Sequence, residues 1–199
     1  MATATLLLDL DGTVWHSRPW YVETIARLSG GSASEVESRL EAGARVGQVA
    51  QGLGVSRKRL TEAASEDAVS LELYELVPQT LDSLQEQGTL IGIVSNLPGW
   101  LVSPLLHSTG IEKYIAVTVT PQPRRGVPAK PKPHGIRKVL QEMGREADAQ
   151  TWFVGDGAVD AEAAKAAGVQ FAWASYGYER EVPPDTAKVL ECFDDVLQL

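Results

Sequence analysis

The sequence predicts a doubly wound α/β fold: a mainly parallel sheet with helices on both faces and one α-helical insertion after the first strand. Three observations carry that prediction. Short apolar runs of strand length recur along the chain, helix-length segments closed by glycine separate them, and polar residues stand at the end of most of the runs. Such alternation implies right-handed crossovers and a parallel sheet covered on both sides.

Composition sets the outer bounds. At roughly 100–200 residues per domain, 199 residues suit one core carrying a modest insertion. Apolar residues at 44% and charged residues at 22% are the proportions of a globular chain with a real core. The net charge of −8 argues against a nucleic-acid polymer or an anionic membrane as partner, since either needs a basic face. Cys192 is the single cysteine, so no internal disulfide ties the protein to an oxidising compartment. The start, MATATLLLDLDGT, has no basic region before its apolar stretch, and aspartates interrupt that stretch too early for a signal peptide. No apolar run reaches the ~20 residues that span a bilayer. The expectation is a soluble, reduced, cytoplasmic protein.

The first strand is expected over Thr3–Leu10, delivering Asp9 and Asp11 to its carboxyl end, where Gly12 turns the chain. Residues 16–78 contain no convincing strand, only helix-forming sequence broken near Gly30-Gly31, Gly52–Gly54 and Val77-Pro78; this is the helical insertion. A helix over Thr80–Gln87 stops at Gly88, and Leu90–Val94 follows as the second strand, ending in Ser95-Asn96. The helix Trp100–Thr109 stops at Gly110 before a third strand, Ile115–Val119. Thr120–Pro133, with five prolines and four basic residues, reads as a loop. Then come the helix His134–Met143, the strand Trp152–Val154 closed by Gly155-Asp156-Gly157, the Ala-rich helix Ala158–Ala167 and a fifth strand, Val169–Trp173.

In an open parallel sheet, ligands bind at the carboxyl ends of the strands near the point where strand order reverses. Asp9, Asp11, Ser95, Asn96, Lys130, Asp156 and Asp160 therefore converge although they are far apart in sequence. Three or four carboxylates in one small site repel one another severely without a cation. Hard oxygen donors, with room left for water and phosphate, favour Mg²⁺. One lysine and one hydroxyl beside them suit an anion, so the chemistry implied is Mg²⁺-assisted phosphoryl transfer.

LLLDLDGT, IVSN, KPKP and FVGDGAVD resemble, in that order, the four motifs of the haloacid dehalogenase superfamily of phosphatases, and in particular the phosphoglycolate-phosphatase-like members that carry a small helical cap. The resemblance implies a Rossmann-like catalytic core over 1–15 and 79–199, a cap over 16–78, and hydrolysis of a small phosphate monoester through an aspartyl-phosphate. Asp9 would be the nucleophile. Asp11 would protonate the leaving alcohol, then deprotonate the attacking water, and ligate Mg²⁺ through its backbone carbonyl. Gly12 and Thr13 would shape the turn, Ser95 and the amides near Asn96 would bind phosphoryl oxygens, and Lys130 would neutralise Asp9 and the phosphate together. Asp9, Asp11, Asp156 and Asp160 form the expected metal set. Two lysines stand in the third motif; the Lys-Pro-x-Pro register favours Lys130 over Lys132. Gly157 departs from the hydroxyl residue more usual after the metal aspartate.

Plainer readings stand beside these. Asp156 and Asp160 also suit the first turn of a helix, whose dipole favours acids. His16 and Arg18 follow the first motif and are candidates for substrate contact; His16, Arg18, Trp20, Tyr21 and Trp100 read equally well as packing or surface residues. Tyr176-Gly177-Tyr178 resembles a site-bordering loop of relatives or is a plain turn. Val46–Ala64 has the spacing of a helix-turn-helix, with Arg57-Lys58-Arg59 beside it, which leaves a non-catalytic binding or regulatory protein as an alternative. Within the enzyme class, a dehalogenase has little use for Asp11 or Mg²⁺, and a phosphonatase wants a cap lysine, for which Lys58 is the sole candidate. A phosphosugar mutase shares the four motifs and differs in whether water or a second sugar hydroxyl receives the phosphoryl group.

Overall fold

Four buried residues, Thr5–Leu8, form strand β1 and take a central place in the sheet. The computed structural model describes residues 4–66, 71–148 and 150–199, so Thr3 of the expected first strand, and 67–70 of the insertion, lie outside the described residues. Strands β4 (Leu90–Val94), β5 (Ile115–Val119), β6 (Thr151–Gly155), β7 (Gln170–Ala174) and β8 (Lys188–Leu190) complete a sheet of order β5-β4-β1-β6-β7-β8. Every pairing in it is parallel. Winding runs outward from β1 through β4 to β5, then restarts on the other side at β6. The order therefore reverses between β1 and its neighbours, the place where strand ends diverge to leave a crevice.

Helices α5 (Val77–Glu86), α7 (His134–Glu142) and α8 (Ala158–Ala167) link these strands. In α7, Ile136, Val139 and Leu140 are buried at helical spacing and join Leu7, Val94, Val119, Phe153, Phe171 and Trp173 in one apolar cluster. Gly92 of β4 allows the close approach: a Cβ there would lie 2.5 Å from Val139 Cγ1 and 3.0 Å from Leu7 Cδ2. α8 is Ala-rich for a similar reason, with Ala161, Ala163 and Ala164 all buried.

Two differences from the sequence reading have simple causes. β8 is a sixth strand that was not expected; three residues at a sheet edge, two of them exposed, carry no apolar run to announce it. Two-residue strands, β2 (Trp15–His16) and β3 (Glu72–Leu73), form a second small sheet, too short for any alternation to register in sequence.

The chain divides into two compact units, Met1–His16 with Leu73–Asn96 and Lys113–Leu199, and Ser17–Glu72 with Leu97–Glu112. The second holds α1 (Arg18–Ser29), α2 (Ala33–Glu41), α3 (Val46–Gly52), α4 (Arg57–Glu66) and α6 (Gly99–Ser108), the helix that follows β4. Its core draws on Val36, Val49, Leu60, Leu101 and Leu105, each nearly or wholly buried. Among the described residues no helix is long and apolar enough to cross a membrane.

Gly92→Val should overpack the β4–α7 contact and lower the unfolding free energy by about 1–3 kcal/mol, read as a lower urea midpoint at unchanged slope.

Candidate active site

β1 ends at Leu8, but Asp9 N–H still donates to Val154 O of β6 at 2.9 Å. The backbone of Asp9 thus remains in the ladder while its side chain stands at the carboxyl edge. Beyond it, the amides of Thr13, Val14 and Trp15 all converge on the Leu10 carbonyl, at 3.2, 2.9 and 2.9 Å. That tight loop needs Gly12, whose φ of 76° is left-handed. Space demands glycine as well, because a Cβ there would lie 2.1 Å from Asp156 Oδ2. Thr13 is fully buried, and its hydroxyl has no hydrogen-bond partner among the described residues; its backbone carries the turn.

β6 hands over to Asp156, and the first turn of α8 carries Asp160. Together with Asp9 they place one carboxylate oxygen each within 4.8 Å of one another. Lys130 Nζ lies 2.6 Å from Asp9 Oδ1 and 2.6 Å from Asp160 Oδ1, so its ammonium bridges two of the three. All four side chains are buried, with Lys130 only 7% exposed. Lys132, the other lysine of the motif, is exposed.

Lys130 is fixed from behind by Asn96, whose Oδ1 accepts Lys130 N–H at 2.8 Å while its Nδ2 donates to Lys130 O at 3.2 Å. Sequence reasoning gave Asn96 a place beside the phosphate and missed this clamp, which no local pattern announces because the partners are 34 residues apart. Ser95 is buried, its N–H bonded to Val119 O at 3.2 Å. Ser95, Asn96, Thr120 and Lys130 line one small recess.

Support for Asp156 comes from the neighbouring strand β7 and the loop that follows it. Tyr178 N–H donates to Asp156 Oδ2 at 2.7 Å, and the buried Trp173 indole donates to Asp156 O at 3.0 Å. Gly177 lets this loop sit close, since a Cβ on it would lie 2.3 Å from Asp156 Cβ and 2.4 Å from Gly12 O. The Tyr176 hydroxyl donates to Thr13 O at 3.0 Å. Tyr176-Gly177-Tyr178 is therefore a site-bordering loop rather than a remote turn. His16 joins it, its ring 6.1 Å from Tyr178 and 5.7 Å from Tyr74. The carboxyl of Asp11 is not one of the three clustered acids; it is half-buried.

Several candidates belong to the other unit. Arg18 lies 3.7 Å from Glu37. Lys58 is exposed and pairs with Glu62 at 3.6 Å. Arg57 stacks over the Trp100 ring at 5.1 Å. In the helix-turn-helix-like segment, Val49, Ala50, Val55, Leu60 and Ala64 are buried, and Ser108 of α6 bonds Ala64 O, so α4 is used for packing within its own unit.

Three carboxylates against one ammonium leave an excess of negative charge in a buried place. Burial pushes the Asp9 carboxyl well above the ordinary range and Asp160 adds to that, with Lys130 opposing. Burial pulls Lys130 down, but Asp160 and Asp9 outweigh it and hold the ammonium above its usual value. Asp156 is driven up to about 7 by burial and then by Asp160, partly offset by the Tyr178 amide. An all-oxygen donor set with uncompensated charge fits a hard divalent cation.

The folded carboxyl of Asp156 titrates above its unfolded value, so the folded state holds that proton more tightly. Its contribution to stability is complete below pH 3.8, the ordinary value, and is lost as pH rises through about 7. In chelator, Tm should therefore fall between pH 5 and 8 by calorimetry, and a divalent cation should raise it more at pH 8 than at pH 5. A flat or rising Tm would contradict the charge excess.

A family model for haloacid dehalogenase-like hydrolases matches residues 3–168. The chain is 31% identical over 203 aligned residues to a plasmid-encoded phosphoglycolate phosphatase of Cupriavidus necator, covering 89% of this chain and 85% of the relative. It is 30% identical over 216 residues to a phosphoglycolate phosphatase of Pectobacterium atrosepticum, covering 98% and 91%. A HAD phosphatase from Thermococcus onnurineus shares the fold at a TM-score of 0.73 and 22% identity, over 98% of this chain and 97% of that one. With the four motifs on one sheet edge and the match spanning most of its length, the chain belongs to the haloacid dehalogenase-like hydrolases and is a phosphatase of that family.

Proposed function

We propose that the protein hydrolyses a small phosphate monoester through an aspartyl-phosphate on Asp9. The observation that carries this reading is the buried Lys130 ammonium, 2.6 Å from both Asp9 and Asp160 with Asp156 alongside. Salt-bridge geometry alone does not explain a third buried acid there. A cation-binding, phosphate-handling site does.

An Asp9 oxygen attacks phosphorus and the ester oxygen leaves as the alcohol, taking a proton from Asp11. Asp11 then removes a proton from water, which attacks the acyl phosphate; the P–O bond to Asp9 breaks, releasing phosphate and regenerating the carboxylate. The Ser95 hydroxyl and the amides near Asn96 hold the phosphoryl oxygens. Lys130 offsets charge on Asp9 and on the transferring group, and being already fixed by Asn96 it needs no reorganisation. Mg²⁺, held by Asp9, Asp156, Asp160 and the Asp11 carbonyl, supplies further charge neutralisation when bound. Gly12 and Thr13 shape the loop that presents Asp11.

Residues 16–78 are proposed to act as a cap that closes over substrate and excludes water, with His16 and Arg18 meeting the part of the substrate beyond its phosphate. The relatives named phosphoglycolate phosphatases make a short acid-bearing monoester, 2-phosphoglycolate or a close analogue, the first substrate to try.

Mg²⁺-dependent phosphate release from 2-phosphoglycolate and from an aryl phosphate tests the reading. Asp9→Asn, nearly isosteric, should keep the fold and lower kcat by at least about 10³-fold. Wild-type-like turnover in that variant would refute the nucleophile. Phosphoryl transfer between sugar hydroxyls with little free phosphate would replace hydrolase by mutase.

A further inference from the structure

Gly157 has a φ of −138° and ψ of 169°, extended backbone open to any residue, so its lack of a side chain is not required by conformation. It leaves room for a neighbouring carboxylate, which a side chain there would displace. A Cβ on Gly157 would lie 2.4 Å from Glu179 Oε1 and 2.8 Å from Glu179 Cδ. Glu179 Oε2 accepts the Ala158 N–H at 2.9 Å, although 21 residues separate the two. The first amides of a helix have no partner within it and are ordinarily met by a side chain at the preceding position. Here that position is glycine, and the carboxylate of a distant loop meets the first amide of the helix instead.

The adjoining contacts give this cap its consequence. Asp160 Oδ2 accepts Gly157 N–H at 3.2 Å while Asp160 Oδ1 faces Lys130, so the start of α8 sets the orientation of Asp160. The residue next to Glu179, Tyr178, donates its N–H to Asp156 Oδ2. Two consecutive residues of one loop thus bond Asp156 and Ala158, within the turn that leads to Asp160.

We infer that Glu179 is a positioning residue, a long-range helix cap that fixes the first amide of α8 beside the bare Gly157 and so helps hold Asp156 and Asp160 in place for the divalent cation. The inference rests on the proposed metal role of those two aspartates, but the cap itself does not. A carboxylate also complements the positive end of α8.

The test is a double-substitution cycle read in two ways, by hydrogen exchange of the α8 N-terminal amides without metal and by calorimetric Mg²⁺ titration. Glu179→Ala should speed exchange at Ala158 and weaken Mg²⁺ binding about tenfold, the usual scale for a residue supporting metal ligands. Glu179→Gln retains an acceptor oxygen and should stay close to wild type in both. Gly157→Ser supplies a local acceptor for the next amides of the same turn, so adding Glu179→Ala in that background should cost little further Mg²⁺ affinity. A purely structural role would lower Tm and leave the Mg²⁺ Kd, measured well below Tm, unchanged. Unchanged exchange in Glu179→Ala, or an undiminished loss of Mg²⁺ affinity in the Gly157→Ser background, overturns the cap. Absence of Mg²⁺ binding by the wild-type protein would instead refute the metal reading, with the exchange cycle still judging Glu179.

Discussion

A single buried ammonium governs this site. Lys130 lies between Asp9 and Asp160, two acids brought together from the first strand and the last long helix of the core. Without it, three carboxylates would share a buried corner with no counter-charge, and no sheet would gather them there at such electrostatic cost. Much of the surrounding structure serves its placement: Asn96 grips its backbone from β4, Phe153 lies beneath its ammonium, and the Leu10 carbonyl gathers three amides to shape the loop beside it.

One lysine still leaves charge to spare, and that excess separates a working site from an ordinary ion pair. A structural pair tends toward neutrality, whereas here Asp156 has a raised affinity for a proton and, by the same physics, for a cation. The bulk charge of −8 gives no hint of this. Three of the acids, Asp9, Asp156 and Asp160, gather in one buried place beside Lys130, a local arrangement that a whole-chain sum does not record.

How much of this was legible in the sequence depended on how locally each feature is encoded. β4, β5 and α8 stand at their expected bounds because β-branched runs and glycine stops are local properties. Asp9, Asp156 and Asp160 were readable for a related reason, since each follows a strand or opens a helix and the winding rule brings such ends together; Lys130, in the loop between β5 and α7, was readable from its Lys-Pro-x-Pro register. What stayed hidden is contact across distance. The Asn96 clamp, the Trp173 and Tyr178 bonds to Asp156, and the Glu179 cap join residues 17 to 34 positions apart through polar groups with no periodicity. The grouping of α6 with the insertion helices was hidden too, because nothing in its own sequence separates it from a core helix.

The seam between Gly12 and the Tyr176–Tyr178 loop bears on the order in which the protein is made. Asp156 leans on Trp173 and Tyr178, and the nucleophile loop is braced by Tyr176, all of which follow the four motifs in the chain. During synthesis, a nascent chain extended only through α8 carries every acid and the lysine, yet lacks the groups that hold Asp156 and the turn at Gly12. The groups that brace Asp156 and the turn therefore emerge late, with β7 and its loop. Until then, a chain with all its motifs is a site in composition and not in geometry.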